Sequence, residues 1–176
     1  MNSYPLSGQQ YYIATASAGD SVYVLDNKYD NPSSSSHKYS AATDEWATIN
    51  KIPTWRGGTE HGASAATVGN TIYVMGGYGT SAAKNEAYDT QTDAWASKKS
   101  LPVGRAGAAI GVSSGTIIVA GGYELLSSVQ LYTASADSWR IGEGAVPRLV
   151  RRSVQRRGSR GCSYARPSSC CRNEHA

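Results

Sequence analysis

Three segments of the chain superpose when a tryptophan is taken as the anchor. They are His37-Lys-Tyr39-Ser-Ala-Ala-Thr-Asp44-Glu-Trp46, Glu86-Ala-Tyr88-Asp-Thr-Gln-Thr-Asp93-Ala-Trp95 and Gln130-Leu-Tyr132-Thr-Ala-Ser-Ala-Asp137-Ser-Trp139. In each, six residues separate Tyr from Trp, and an Asp stands two before the Trp. A short apolar stretch precedes each segment: SVYVLD (Ser21 to Asp26), TIYVMGG (Thr71 to Gly77) and TIIVAGG (Thr116 to Gly122). The tryptophans lie 49 and 44 residues apart. A unit of that length, made of strand and turn formers without helical periodicity, restricts the chain to a repetitive all-β array with one propeller blade per unit.

The local chemistry agrees with this reading. Thr71 to Met75 is β-branched, aromatic or apolar throughout and carries no charge, as a strand covered on both faces requires. The Gly pairs Gly76-Gly77 and Gly121-Gly122 then allow a turn or a close backbone approach. Asp89 to Asp93 and Thr133 to Asp137 are short polar connections whose side chains can bond the local backbone. Tyr39, Tyr88 and Tyr132 thus fall at the end of one strand, with Trp46, Trp95 and Trp139 at the start of the next. Ring packing within and between blades is the plainest account of these repeated residues.

The order apolar strand, Gly76-Gly77, Tyr88, six-residue spacer, Trp95, Leu101-Pro102-Val-Gly-Arg105 resembles the Kelch repeat. It recurs as Gly121-Gly122, Tyr132, Trp139, Val146-Pro147-Arg148, and as Tyr39, Trp46, Ile52-Pro53-Thr-Trp-Arg56. The first unit departs from the pattern, with Leu25-Asp26 where the Gly pair is expected. The other propeller family of similar period ends its strand in Trp-Asp, whereas these tryptophans are followed by Ala, Ala and Arg. The expected fold is all-β: a Kelch-type propeller of about three four-stranded blades, approximately residues 11–52, 56–101 and 105–147, after a lead-in of residues 1–10.

The resemblance implies a protein-interaction module, with the substrate-recognition part of a ubiquitin-ligase adaptor as one setting. Its partner-binding face is formed by the loops after the Gly pairs and those entering the next blade. That maps to Tyr78, Thr80, Ser81, Tyr123 and Glu124, together with Arg56, Arg105 and Arg148. Guanidinium forks suit carboxylates, so the implied protein or peptide partner is acidic. Salt bridging or loop capping is the competing role for the arginines. Counting back from the next strand places Glu60, and not Arg56, at the position Arg105 holds. His37 and His61 stand apart from other ligand types and read as exposed loop residues, so no metal is expected.

An enzymatic alternative is a fragment of a carbohydrate-active Kelch-fold enzyme of the mutarotase kind, for which Glu60, Glu124 and Arg105 have suitable residue types. Copper radical oxidases of the same fold need a Cys cross-linked to Tyr. Residues 1–148 contain no cysteine, which excludes that chemistry and thiolate metal sites there. The chain has no nucleophile elbow, phosphate loop or paired-carboxylate motif, and no cofactor is expected.

Charge divides the molecule. Residues 1–148 hold ten Lys/Arg against twelve Asp/Glu, while residues 149–176 hold seven Arg against one Glu and all three cysteines, Cys162, Cys170 and Cys171. The basic balance therefore belongs to a tail, read as disordered, that lacks strand or helix periodicity. A shifted reading frame, an alternative exon or a misjoined gene would each produce such an end. RNA or acidic lipid is a potential partner of the tail alone. The N-terminus shows no signal-peptide pattern and no run suits a membrane span, so a cytoplasmic protein is expected. Closed propellers usually carry four to eight blades, so three cannot close a ring. The expectation is a piece of a longer propeller, with self-association of two copies into six blades as the alternative.

Overall fold

The computed structural model describes residues 14–25, 35–56, 62–123 and 127–142. Two-residue connections build the first hairpin of each repeat. Gly19, Gly69 and the pair Ser114-Gly115 adopt positive φ, matching the twist of the strands they join. At the third hairpin of each repeat, the recurring Asp44, Asp93 and Asp137 take φ of 54°, 54° and 44°, a conformation Asp tolerates better than most side chains. Asp89 fixes its own turn by accepting the N–H groups of Gln91 and Thr92 at 2.8 and 3.2 Å.

These turns fold the chain into three antiparallel four-stranded meanders. The first contains β1 (Ala14–Ala18), β2 (Ser21–Leu25), β3 (Ser36–Ser40) and β4 (Glu45–Ile49). The second contains β5 (Ser64–Val68), β6 (Thr71–Met75), β7 (Asn85–Asp89) and β8 (Ala94–Ser97). The third contains β9 (Ala109–Ser113), β10 (Thr116–Ala120), β11 (Val129–Thr133) and β12 (Ser138–Gly142). Strand β5 lies against both β1 and β9, so the first strand of each sheet faces its neighbour's first strand. The sheets are blades side by side, and the three-blade expectation holds.

Apolar cores lie between blades. Tyr23, Leu25, Ile49 and Ile52 of blade 1 pack on Ile72, Val74 and Tyr88 of blade 2. Tyr73, Met75, Ala87 and Leu101 of blade 2 pack on Ile117, Val119 and Tyr132 of blade 3. Strand β6 therefore sends alternate side chains to opposite neighbours, which explains its unbroken apolar sequence. The expected Tyr–Trp neighbours are cross-strand pairs: Tyr39↔Trp46, Tyr88↔Trp95 and Tyr132↔Trp139, with ring centroids 5.0, 5.1 and 4.9 Å apart. Tyrosines also meet across the seams, Tyr23 with Tyr88 at 5.9 Å and Tyr73 with Tyr132 at 5.5 Å.

His37 corrects the expectation of an exposed loop residue, because it is buried in β3. It stands two residues before Tyr39, and period-two alternation turns both to the same face. The lead-in, the tail with its expected disorder, and Asp26, Glu60, His61, Glu124 and Arg148 lie outside the described residues.

Candidate functional site

The loops after the Gly pairs and the linkers between blades meet on one side of the array. Arg56 and Arg105 each stand ten residues after their blade's Trp. Both are buried, at 1% and 2% relative exposure. Arg56 Nη1 donates to the carbonyls of Gly76 (2.6 Å) and Lys84 (3.0 Å), and its Nη2 donates to Glu86 Oε2 at 2.6 Å. Arg105 repeats the arrangement one blade on. Its Nη1 donates to Gly121 O, and its Nη2 to the Ser128 carbonyl (2.7 Å) and hydroxyl (2.8 Å). Burial holds both guanidinium groups below their ordinary value, with the Glu86 carboxylate opposing that shift at Arg56. These forks clamp successive blades to one another.

The equivalence of Arg56 and Arg105 corrects the count that put Glu60 in the arginine position. Both follow their Trp at the same distance, and the extra residues between linker and next strand come after Arg56. Counting from the preceding Trp aligns the linkers, whereas counting back from the next strand carries the insertion into the answer.

Gly76 and Gly77 are gripped between the two arginine backbones. Gly77 N–H donates to Arg105 O at 2.9 Å, and Tyr78 N–H to Arg56 O at 3.2 Å. At Gly76, φ +77°, a Cβ would collide with Arg105 O; at Gly77, φ +137°, it would press on the Arg56 backbone. The pair is required by φ and close approach together.

The clasp leaves a groove of about 320 Å³ over the junction of blades 2 and 3, lined by Gly77, Tyr78, Gly104, Arg105, Ala106 and Tyr123 among others. Tyr78 and Tyr123, 44% and 48% exposed, line it together with Gly77, Gly79 and Gly104. Of the residues the sequence singles out, the structure brings Tyr78, Arg105 and Tyr123 to this groove. Thr80 lies on the exposed 3-10 turn Gly79–Ser81 that follows Tyr78. Ser81 is buried, and its hydroxyl donates to Trp55 O at 2.6 Å.

A family model described as the Kelch motif matches residues 61–102. The chain carries a Kelch motif. That span contains the whole second blade, and the first and third sheets repeat its four-stranded order, an arrangement consistent with a partial Kelch propeller. No curated protein matches the chain. Among the described residues, no helix is long and apolar enough to cross a membrane, and no cluster of His, Cys, Asp or Glu could hold a metal ion.

Two features of these blades are not evident from the sequence pattern. The residue two before Tyr88, and likewise the one two before Tyr132, reaches back to the preceding linker. Glu86 accepts the Thr54 hydroxyl at 2.7 Å as well as Arg56, while Gln130 takes both backbone groups of Val103 at 2.9 Å. Positions 54 and 103 are equivalent, eight residues after their tryptophans. The signal was a polar residue at a fixed place inside an apolar repeat. The second feature is Trp55, 40% exposed, at the position Gly104 occupies in the next linker. As the one tryptophan outside the Tyr–Trp pattern, it could have been found as an exception to the repeat.

Proposed function

We propose that this chain works as a protein-interaction module that holds a partner segment across the groove between Tyr78 and Tyr123, with Trp55 extending the aromatic surface along the preceding junction. The observation that carries the reading is the groove itself: exposed tyrosines and glycines line it, beside the buried arginine clamp at Arg105. Tyr and Trp supply large contact area with a polar tip and little rotamer entropy to lose, which is why they dominate binding hot spots. The expectation of an acidic partner rested on guanidinium forks. With Arg56 and Arg105 engaged by carbonyls, the partner we propose is an extended segment whose apolar or aromatic side chains lie on the tyrosine rings and whose backbone polar groups meet their hydroxyls.

A place in a ubiquitin-ligase adaptor would make the groove the substrate-recognition surface; that setting is supported by the Kelch resemblance alone. The mutarotase alternative draws no support from the groove, since Arg105 is clamped and Glu60 and Glu124 lie outside the described residues. The test is selection of peptide binders from a displayed library against the folded chain. Selected peptides should compete with one another and weaken on the order of tenfold or more on Tyr78→Ala or Tyr123→Ala. Peptides that bind both variants as well as the parent would overturn the assignment.

A further inference from the structure

The loops that form the groove over the junction of blades 2 and 3 already use much of their backbone. Gly77 N–H donates to Arg105 O and Tyr123 N–H to Ala106 O, both at 2.9 Å, so these two linker carbonyls each hold a partner. Arg105 N–H donates to Ala82 O at 2.8 Å. The turn after Tyr78 bonds to itself, Ser81 N–H to Tyr78 O at 3.2 Å and Ala82 N–H to Gly79 O at 3.1 Å. A segment that binds by adding a strand needs a row of open N–H and C=O groups along a sheet edge. None of the described residues lining the groove belongs to a strand.

What the groove does present is aromatic and uncharged. The one ionised side chain among the described lining residues is Arg105, which is buried with its guanidinium on Gly121 and Ser128. The open groups are the Tyr78 and Tyr123 rings, beside glycines that put no side chain in a ligand's way. At Gly104 a Cβ would stand 2.9 Å from the Ala82 Cβ, so packing itself keeps that position bare. Tyr78 and Tyr123 each follow a Gly pair, which makes them the same repeat position in consecutive blades. Sheets stacked face to face lie about 10 Å apart. A polyproline II helix turns once in three residues at about 3.1 Å each, so it presents the same side about every 9 Å. The blade repeat and the polyproline II pitch thus agree to within about 1 Å.

We infer that the partner held by this groove is a proline-rich segment in the polyproline II conformation, with prolines three apart resting on Tyr78 and Tyr123. Such a segment has no internal hydrogen bonds, and its prolines bring no N–H that would need an acceptor from the groove. It offers carbonyls instead, and the Tyr78 hydroxyl can donate to one of them. The pyrrolidine rings lie on the phenol faces, and the segment is ordered before it binds, so little conformational entropy is lost. This inference rests on the groove reading proposed above and narrows its partner from extended apolar or aromatic segments to one class.

The test is titration of the full folded chain with a labelled, uncharged peptide of about ten residues carrying prolines three apart, read by fluorescence anisotropy. Replacing both spaced prolines by alanine should weaken binding on the order of tenfold or more. Tyr78→Ala and Tyr123→Ala should do the same with unchanged far-ultraviolet circular dichroism, since both side chains are exposed. Tyr78→Phe keeps the ring and removes the donor, so it should weaken binding about two- to tenfold, and it stands in should Tyr78→Ala fail to fold. Raising salt from about 0.1 to 1 M should weaken binding by less than about twofold, because no ion pair forms. Absence of binding, equal binding of the proline and alanine peptides, or a strong loss with salt overturns the proline class. Acidic or aromatic peptides that win the library selection in place of proline-rich ones, and still weaken on Tyr78→Ala, overturn this inference while sustaining the proposed function. Proline peptides that bind both alanine variants as tightly as the parent overturn the site itself.

Discussion

Arg56 and Arg105 do the same job with different chemistry. Arg56 sits against a carboxylate at 2.6 Å, while the hydrogen-bond partners of Arg105 among the described residues are neutral oxygens. Removing one partner of a buried ion pair leaves the other charge uncompensated, which costs about 3–5 kcal/mol. Loss of neutral buried hydrogen bonds costs less, about 1–3 kcal/mol per orphaned group. Arg56→Ala should therefore lower stability more than Arg105→Ala, and Glu86→Leu should recover part of the Arg56→Ala loss. Urea unfolding of the four proteins measures this; equal losses for the two arginines, or no recovery, would contradict the ion-pair account. The sequence identified both arginines from the linker pattern but not the direction they face. That depends on Glu86 and on carbonyls 20 to 28 residues away, which no local pattern encodes.

At the scale of the element, strands and hairpins were legible because their rules are local. Tyr88 pairs with Trp95 because an Asp turn of fixed length separates them, and β6 is covered twice because its apolar run is unbroken. The seams were less legible, since a linker's backbone must be known before Asp93 or Trp95 can be assigned to it. They also make a pH-dependent element. Burial, then the hydrogen bond to Asp93, pushes the Tyr88 phenol well above its ordinary 10; burial and Asp137 do the same for Tyr132. A raised phenol means the fold keeps protons that the unfolded chain releases above pH 10, so this contribution is intact below that pH and is lost as pH rises past it. The urea midpoint should be flat in this respect up to about pH 9 and fall beyond pH 10. Tyr88→Phe and Tyr132→Phe should each flatten the alkaline fall; an unchanged slope in both variants would remove the phenols as its cause.

For the whole molecule, the period announced three blades, and the described residues form three. Four of the five residues by which the two Trp intervals differ were readable as an insertion in the linker, and the clamp geometry places them after Arg56. In an array whose blades touch only their neighbours, stability is the sum of blade terms and seam terms. Blade 2 has two seams within one chain, while blades 1 and 3 have one each. Amide exchange should therefore be slowest in β6 and faster in β2 and β10, which open with their blades. Uniform exchange across the three sheets would mean the array unfolds as one unit, with the seams too strong for any blade to open alone.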